Sequence, residues 1–149
     1  MGLQVCKGSK KDGGAFDCWH ITSTDISEES FPKLETVIKR HFEYAVAFHG
    51  WEHKSICIGG SAPPSLKQQI KTKIVSAIFG SGIVVNTDED GGCPQGFNGT
   101  DPKNIVNRLG TNGIQIEQSR KARESFNLPI ADAVASQGDL ICISRQVKV

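Results

Sequence analysis

The sequence predicts an α/β fold, a three-layer α/β/α domain around a mixed, largely parallel sheet. Three observations point there. Short apolar runs of strand length alternate along the chain with segments whose apolar residues recur at helical spacing. One run, Tyr44-Ala45-Val46-Ala47-Phe48, is continuously apolar, as a central strand covered on both faces should be. The length, 149 residues with 38% hydrophobic content, suffices for one ordinary core and not for two.

Met1 to Asp17 is rich in Gly, Lys, Ser and Asp without periodicity, so this segment is expected to be irregular or disordered. The domain is expected over residues 18–136, opening with the β-prone run Cys18-Trp19-His20-Ile21-Thr22. Ser30 is placed to cap a helix in which Pro32 falls in the first turn and Phe31, Leu34, Val37 and Ile38 share a face. The strand at Tyr44–Phe48 ends at His49-Gly50, and a second, Ser55 to Ile58, stops at Gly59-Gly60. Pro63-Pro64-Ser65 opens a helix carrying Leu66, Ile70, Ile74, Ala77 and Ile78, which Gly80 and Gly82 close.

Ile83 to Val85 follows as a strand, then a loop from Thr87 to Thr100 that is long enough for a functional role. Asp101-Pro102 reads as a capped start with Pro at the first helical position, giving a short helix through Arg108. Gly113 to Glu117 alternates as a strand, and Ser119 caps a last helical region through about Ala135. The tail, residues 137–149, holds Leu140-Ile141-Cys142-Ile143, either an added edge strand or a loose end.

Lys plus Arg total 17 against 16 Asp plus Glu, so a net charge of +1 provides no long-range field for nucleic acid or an anionic membrane. No apolar stretch approaches the roughly 20 residues that span a bilayer, and Met1 to Lys11 is polar, unlike the basic and then apolar pattern expected of a signal peptide. Five cysteines, Cys6, Cys18, Cys57, Cys93 and Cys142, show no CxxC spacing; buried thiols are the plain reading, while Cys6 and Cys93 in Gly-rich loop sequence point toward the pattern of a secreted protein, and the disulfide state stays open. Asn98-Gly99-Thr100 is a glycosylation acceptor if the chain derives from a secreted parent.

Ligands of open α/β sheets gather at the carboxyl ends of strands. The residues at those ends are His49, Gly59, Gly60, Asn86 and Glu117. A neutral imidazole can bind zinc, and a carboxylate can take a proton from a metal-bound water. Taken alone the pair is weak, because a strand-end histidine is more often a hydrogen-bonded structural residue. His49-Gly50-Trp51-Glu52-His53 also matches H-x-x-E-H, but that chemistry needs a helix, and the motif directly follows a strand and carries a glycine. Asp88-Glu89-Asp90-Gly91 lacks the alternating ligands of a calcium loop. Trp19 and Trp51 abut strand sequence and read as packing residues.

Five segments recur in a familiar order. They are His20-Ile21-Thr22-Ser23-Thr24, Ala47-Phe48-His49-Gly50, Gly59-Gly60, Asn98-Gly99 with Asp101 to Arg108, and Gly113 to Glu117 with Arg123. The series resembles that of phage-type poly-γ-glutamate hydrolases, zinc-dependent amidohydrolases related in fold to the zinc carboxypeptidases. The resemblance implies hydrolysis of γ-glutamyl amide bonds in poly-γ-glutamate, with His49 as a zinc ligand and Glu117 as general base. It gives Asn107 and Arg108 a task, the grip of a substrate carboxylate, for which a guanidinium is suited. Lys103, Arg120, Lys121 and Arg123 read as solvated charge.

The family's other two ligands lie in an upstream His-Gly-Gly-x-Ile-Glu motif, and nothing in Met1 to Asp17 fits it. The resemblance therefore implies an N-terminally truncated chain in which zinc is bound weakly or not at all, with His20 the nearest substitute. The alternative is a catalytically inactive remnant that at most binds an anionic polymer.

Overall fold

The apolar run at Tyr44–Phe48 is the middle of a longer strand in the computed structural model, which describes residues 21–136. The expectations for the segment before residue 18, for Cys18, Trp19 and His20, and for the tail from Gln137 lie outside the described residues. Strand β1 is Phe42–Gly50, β2 Ile56–Gly59, β3 Val85–Thr87 and β4 Gly110–Gln118. Their spatial order is β1-β4-β2-β3. β1 pairs with β4 in parallel, β2 with β3 in parallel, and β2 with β4 antiparallel, so the sheet is mixed and mostly parallel.

Alternation along the strands sorts side chains onto two faces. Val46, Ile56, Ile58, Ile114 and Ile116 meet Ile70, Ile74, Ile130 and Val134 in the main core. Those partners come from α2 (Pro64–Ala77) and α5 (Asn127–Ala135), which pack on each other, while α4 (Arg120–Ser125) adds Ala122. Against the opposite face, α3 (Ile105–Leu109) lies across β1 and β4, with α1 (Leu34–Ile38) beside it. The sheet is thus the middle of three layers.

Several boundaries differ from the sequence expectation. Ser30 does not cap the first helix: α1 starts at Leu34 after Lys33, without a side-chain cap. Ile21 and Thr22 are not in a strand. The third strand falls at Val85–Thr87 instead of Ile83–Val85, because Ile56 to Ile58 pair with Val85 to Thr87. Asp101-Pro102 does not start α3; Asn104 does, its Oδ1 accepting the Val106 N–H at 3.2 Å. Ser119 caps as its position predicts, accepting the Ala122 N–H at 3.2 Å, but the region after it breaks into two helices at Phe126.

The acidic turn Asp88–Asp90 is a short 3-10 helix neutralised by α2. Lys67, buried, holds Asp88 at 2.7 Å and Glu89 at 3.0 Å, and Lys71 holds Asp90 at 2.8 Å. Asp90 also accepts the Thr87 N–H at 2.8 Å, and these bonds, the lysine's first, hold its carboxyl down at about 2. No helix among the described residues is long and apolar enough to cross a membrane.

Candidate active site

β1 and β4 run parallel in a register that sets His49 directly beside Glu117, each near the carboxyl end of its strand. Registered neighbours share a face, so both side chains stand on the face opposite the main core, along with Gln115 and Cys57. They open into a cleft of about 810 Å³. Ile21 to Thr24 form one wall, the loop from Gln95 to Pro102 another, and His49, Gly50, Asn104, Gln115 and Glu117 complete the lining.

Glu117 is 5% exposed, so its charged form has lost most of its hydration. Burial pushes its carboxyl up from 4.5 to about 7, opposed by a 2.9 Å hydrogen bond in which Gln115 Nε2 donates to Oε1. The Gln115 amide is itself oriented: Asn104 Nδ2 donates to Gln115 Oε1 at 2.6 Å, while Asn104 Oδ1 is occupied by the Val106 N–H. A backbone donor at the start of α3 thereby fixes the polarity of two buried amides in series. Glu117 always meets a donor, never an acceptor, and one carboxylate oxygen is held while the group remains able to take a proton.

His49 Nε2 lies 3.4 Å from Ser23 Oγ. The segment carrying Ser23 is anchored to α3, whose Ile105 N–H donates to the Ser23 carbonyl at 3.0 Å. Arg108 adds a second anchor: Nη1 donates to the Ile26 carbonyl at 2.9 Å, and Nη2 pairs with both oxygens of Glu28 at 2.6 and 2.7 Å. That guanidinium holds the Glu28 carboxyl below its ordinary value.

The opposite wall is fixed to β2. Gly59 and Gly60 are required there: a Cβ on Gly59 would collide with the Asn98 carbonyl, and Gly60, at φ 107°, donates its N–H to that carbonyl at 2.8 Å. Cys57 and Cys93 form a disulfide between β2 and this loop. This settles for these two the disulfide state that the sequence left open; spacing in sequence contains no sign of a pair separated by 36 residues. Trp51 packs below, its ring 5.9 Å from Phe97 and its Nε1 donating to the Ser55 carbonyl at 2.8 Å.

The structure brings His49 and Glu117 together and leaves Asn107 and Arg108 out of the cleft lining. Arg108 is committed to Glu28. Asn107 donates from Nδ2 to the carbonyls of Gly99 and Asp101, each at 2.8 Å, and accepts the Ser61 N–H at 3.1 Å, so its polar atoms are taken by backbone. His49 and Gly50 lie in β1, and Glu52 to Ser55 are bends, so the H-x-x-E-H sequence is not helical. Sequence reasoning passed over Gln115 and Asn104. The period of 2 along β4 put Gln115 on the face of Glu117, and an Asn before Ile105-Val106 is a capping signal.

A family model described as poly-gamma-glutamate hydrolase matches residues 4–137. Among solved structures, that of a bacteriophage poly-gamma-glutamate hydrolase is similar with a TM-score of 0.54 and 28% identity, over 78% of this chain and 60% of that one. The zinc-free apo form of YNDL is similar with a TM-score of 0.54 and 25% identity, over 73% of this chain and 50% of that one. The chain therefore spans 60% and 50% of the lengths of these two. No curated protein matches the sequence.

Proposed function

From the premise that this chain belongs to the poly-gamma-glutamate hydrolase family, we propose that it hydrolyses γ-glutamyl amide bonds of poly-γ-glutamate, with Glu117 as the general base. One observation carries the reading. Glu117 is a buried carboxylate, held at about 7 and fixed by Gln115, that opens on a cleft large enough for a short stretch of polymer. A base poised near neutral pH takes a proton from water as the water oxygen bonds to the γ-carbonyl carbon. It then returns the proton to the departing nitrogen as the C–N bond breaks, leaving a free carboxylate and a free amine.

Zinc enters this reading through the resemblance and through YNDL, whose solved form is described as zinc-free. His49 is the imidazole this chain offers to it. Among the described residues no group of three His, Cys, Asp or Glu side chains is placed to hold a metal ion. A catalytic zinc site takes three protein ligands, so the described residues do not make one, and no step is derived through the ion. The same observation favours a second reading, an inactive chain that binds an anionic polymer.

Zinc content and cleavage separate the two. The hydrolase reading expects chain lengths of poly-γ-glutamate to fall on incubation with purified protein, and Glu117→Gln to slow this by about a hundredfold to ten-thousandfold. Cleavage that survives Glu117→Gln assigns the base elsewhere. Polymer binding with neither zinc nor cleavage selects the second reading.

A further inference from the structure

The cations singled out by the sequence differ in what holds them. Arg108 is paired with Glu28, Arg120 with Glu124 at 2.7 Å, and Lys121 donates to the Ser81 carbonyl at 2.7 Å. Arg123, on α4, is exposed, and its guanidinium has no hydrogen-bond or ion-pair partner among the described residues. A Cβ added to Gly50 would lie 2.6 Å from Arg123 Cζ and 2.7 Å from Nε, so the planar group lies close against the Gly50 backbone. Gly50 is the last residue of β1; it follows His49, is level with Gln118 on β4, and lines the cleft.

Resting on the hydrolase reading above, we propose that Arg123, which lies against Gly50 just outside the cleft lining, is the binding site for a substrate carboxylate at the rim of the cleft. A guanidinium carries five donors and no acceptor, and its fork matches a carboxylate. Here the donors meet no partner among the described residues, and the guanidinium lies beside Gly50, at the end of the strand that carries His49. In a γ-linked glutamate chain each residue keeps a free α-carboxylate on the carbon that bears the amide nitrogen. A cation beside the reacting bond therefore finds an anion at every step of the polymer. An α-linked chain holds its free carboxylates at the ends of side chains instead, so Arg123 also favours the γ linkage.

The test is calorimetric binding of a short γ-linked glutamate oligomer and of the same oligomer with its α-carboxylates converted to carboxamides. The full chain, Arg123→Gln and Arg123→Lys are compared, with thermal melts to verify folding. Loss of charge-assisted hydrogen bonds should weaken the carboxylate oligomer by about tenfold in Arg123→Gln. Arg123→Lys should recover part of this, and the carboxamide oligomer should respond to neither substitution. Equal weakening of both oligomers, or of neither, overturns the proposal. Cleavage, followed by mass spectrometry, reports on the hydrolase reading separately: cleavage with an indifferent Arg123→Gln overturns only the carboxylate site. Binding that shows the expected pattern without cleavage upholds the site and overturns the hydrolase. An unsubstituted chain that neither binds nor cleaves overturns both.

Discussion

On the proposed hydrolase reading, Glu117 couples the chemistry of the cleft to the stability of the fold. Its carboxyl is raised from 4.5 to about 7, chiefly by burial, and must be ionised to act as a base. Activity should therefore rise with pH, with a midpoint near 7 in kcat/KM. Gln115→Leu removes the donor that opposes the shift, so the midpoint should move upward; an unmoved midpoint would mean that another group sets it. Stability runs the opposite way. A carboxyl raised in the folded state binds its proton more tightly there, so this contribution is complete below 4.5 and is lost as pH rises through about 7. The slope is about 1.4 kcal/mol per pH unit within that window. Glu117→Gln cannot titrate, so in metal-free protein it should melt higher than the unsubstituted chain at pH 8 and lose that advantage at pH 4. Parallel melting curves of the two proteins across this range would show that the burial cost is met elsewhere.

At the scale of elements, the cleft depends on two walls that are loops, each tied to the sheet by different chemistry. The Ile21–Thr24 wall hangs on α3 through Ile105 and Arg108, by hydrogen bonds and a forked ion pair. The Gln95–Pro102 wall hangs on β2 through the Asn98 carbonyl on Gly60 and through Cys57–Cys93, the half-cystine level with Glu117 on the neighbouring strand. Closing a loop across 36 residues of sequence restricts the unfolded chain by about 3–4 kcal/mol in the chain-entropy picture. Reduction, or Cys57→Ser with Cys93→Ser, should lower the melting temperature and raise hydrogen exchange in residues 92–100 more than in β4. A melt unaffected by reductant would show that the bond does not constrain this wall.

For the whole molecule, the arrangement of the sheet matters more than its size. β4 is central, flanked by β1 and β2, so one side of β1 carries ladder groups that no strand among the described residues meets. Beside it lies a smaller apolar recess of about 230 Å³ lined by Ile26, Phe42, Ala45, Phe48 and Leu109 among others. An unpaired apolar edge is a template for another strand. The purified chain should associate in a concentration-dependent way in sedimentation velocity. A strictly monomeric profile over the whole concentration range, with a cooperative melt at high temperature, would show the edge to be covered.

Local pattern determined much of this protein by itself. The apolar run of β1, the alternation of β4, the Ser119 cap and the helical spacing of α2 each depend on neighbours in sequence, and they placed His49 and Glu117 at strand ends. Register then made them adjacent, which no single strand contains. The pairing of Cys57 with Cys93, the commitment of Arg108 to Glu28, 80 residues away, and the approach of Arg123 to Gly50 were decided only by tertiary structure. The reason is physical. Periodicity and capping are settled by interactions within a few residues, whereas the partner of a cation, a thiol or a buried amide is whichever group the packing of distant segments brings within reach.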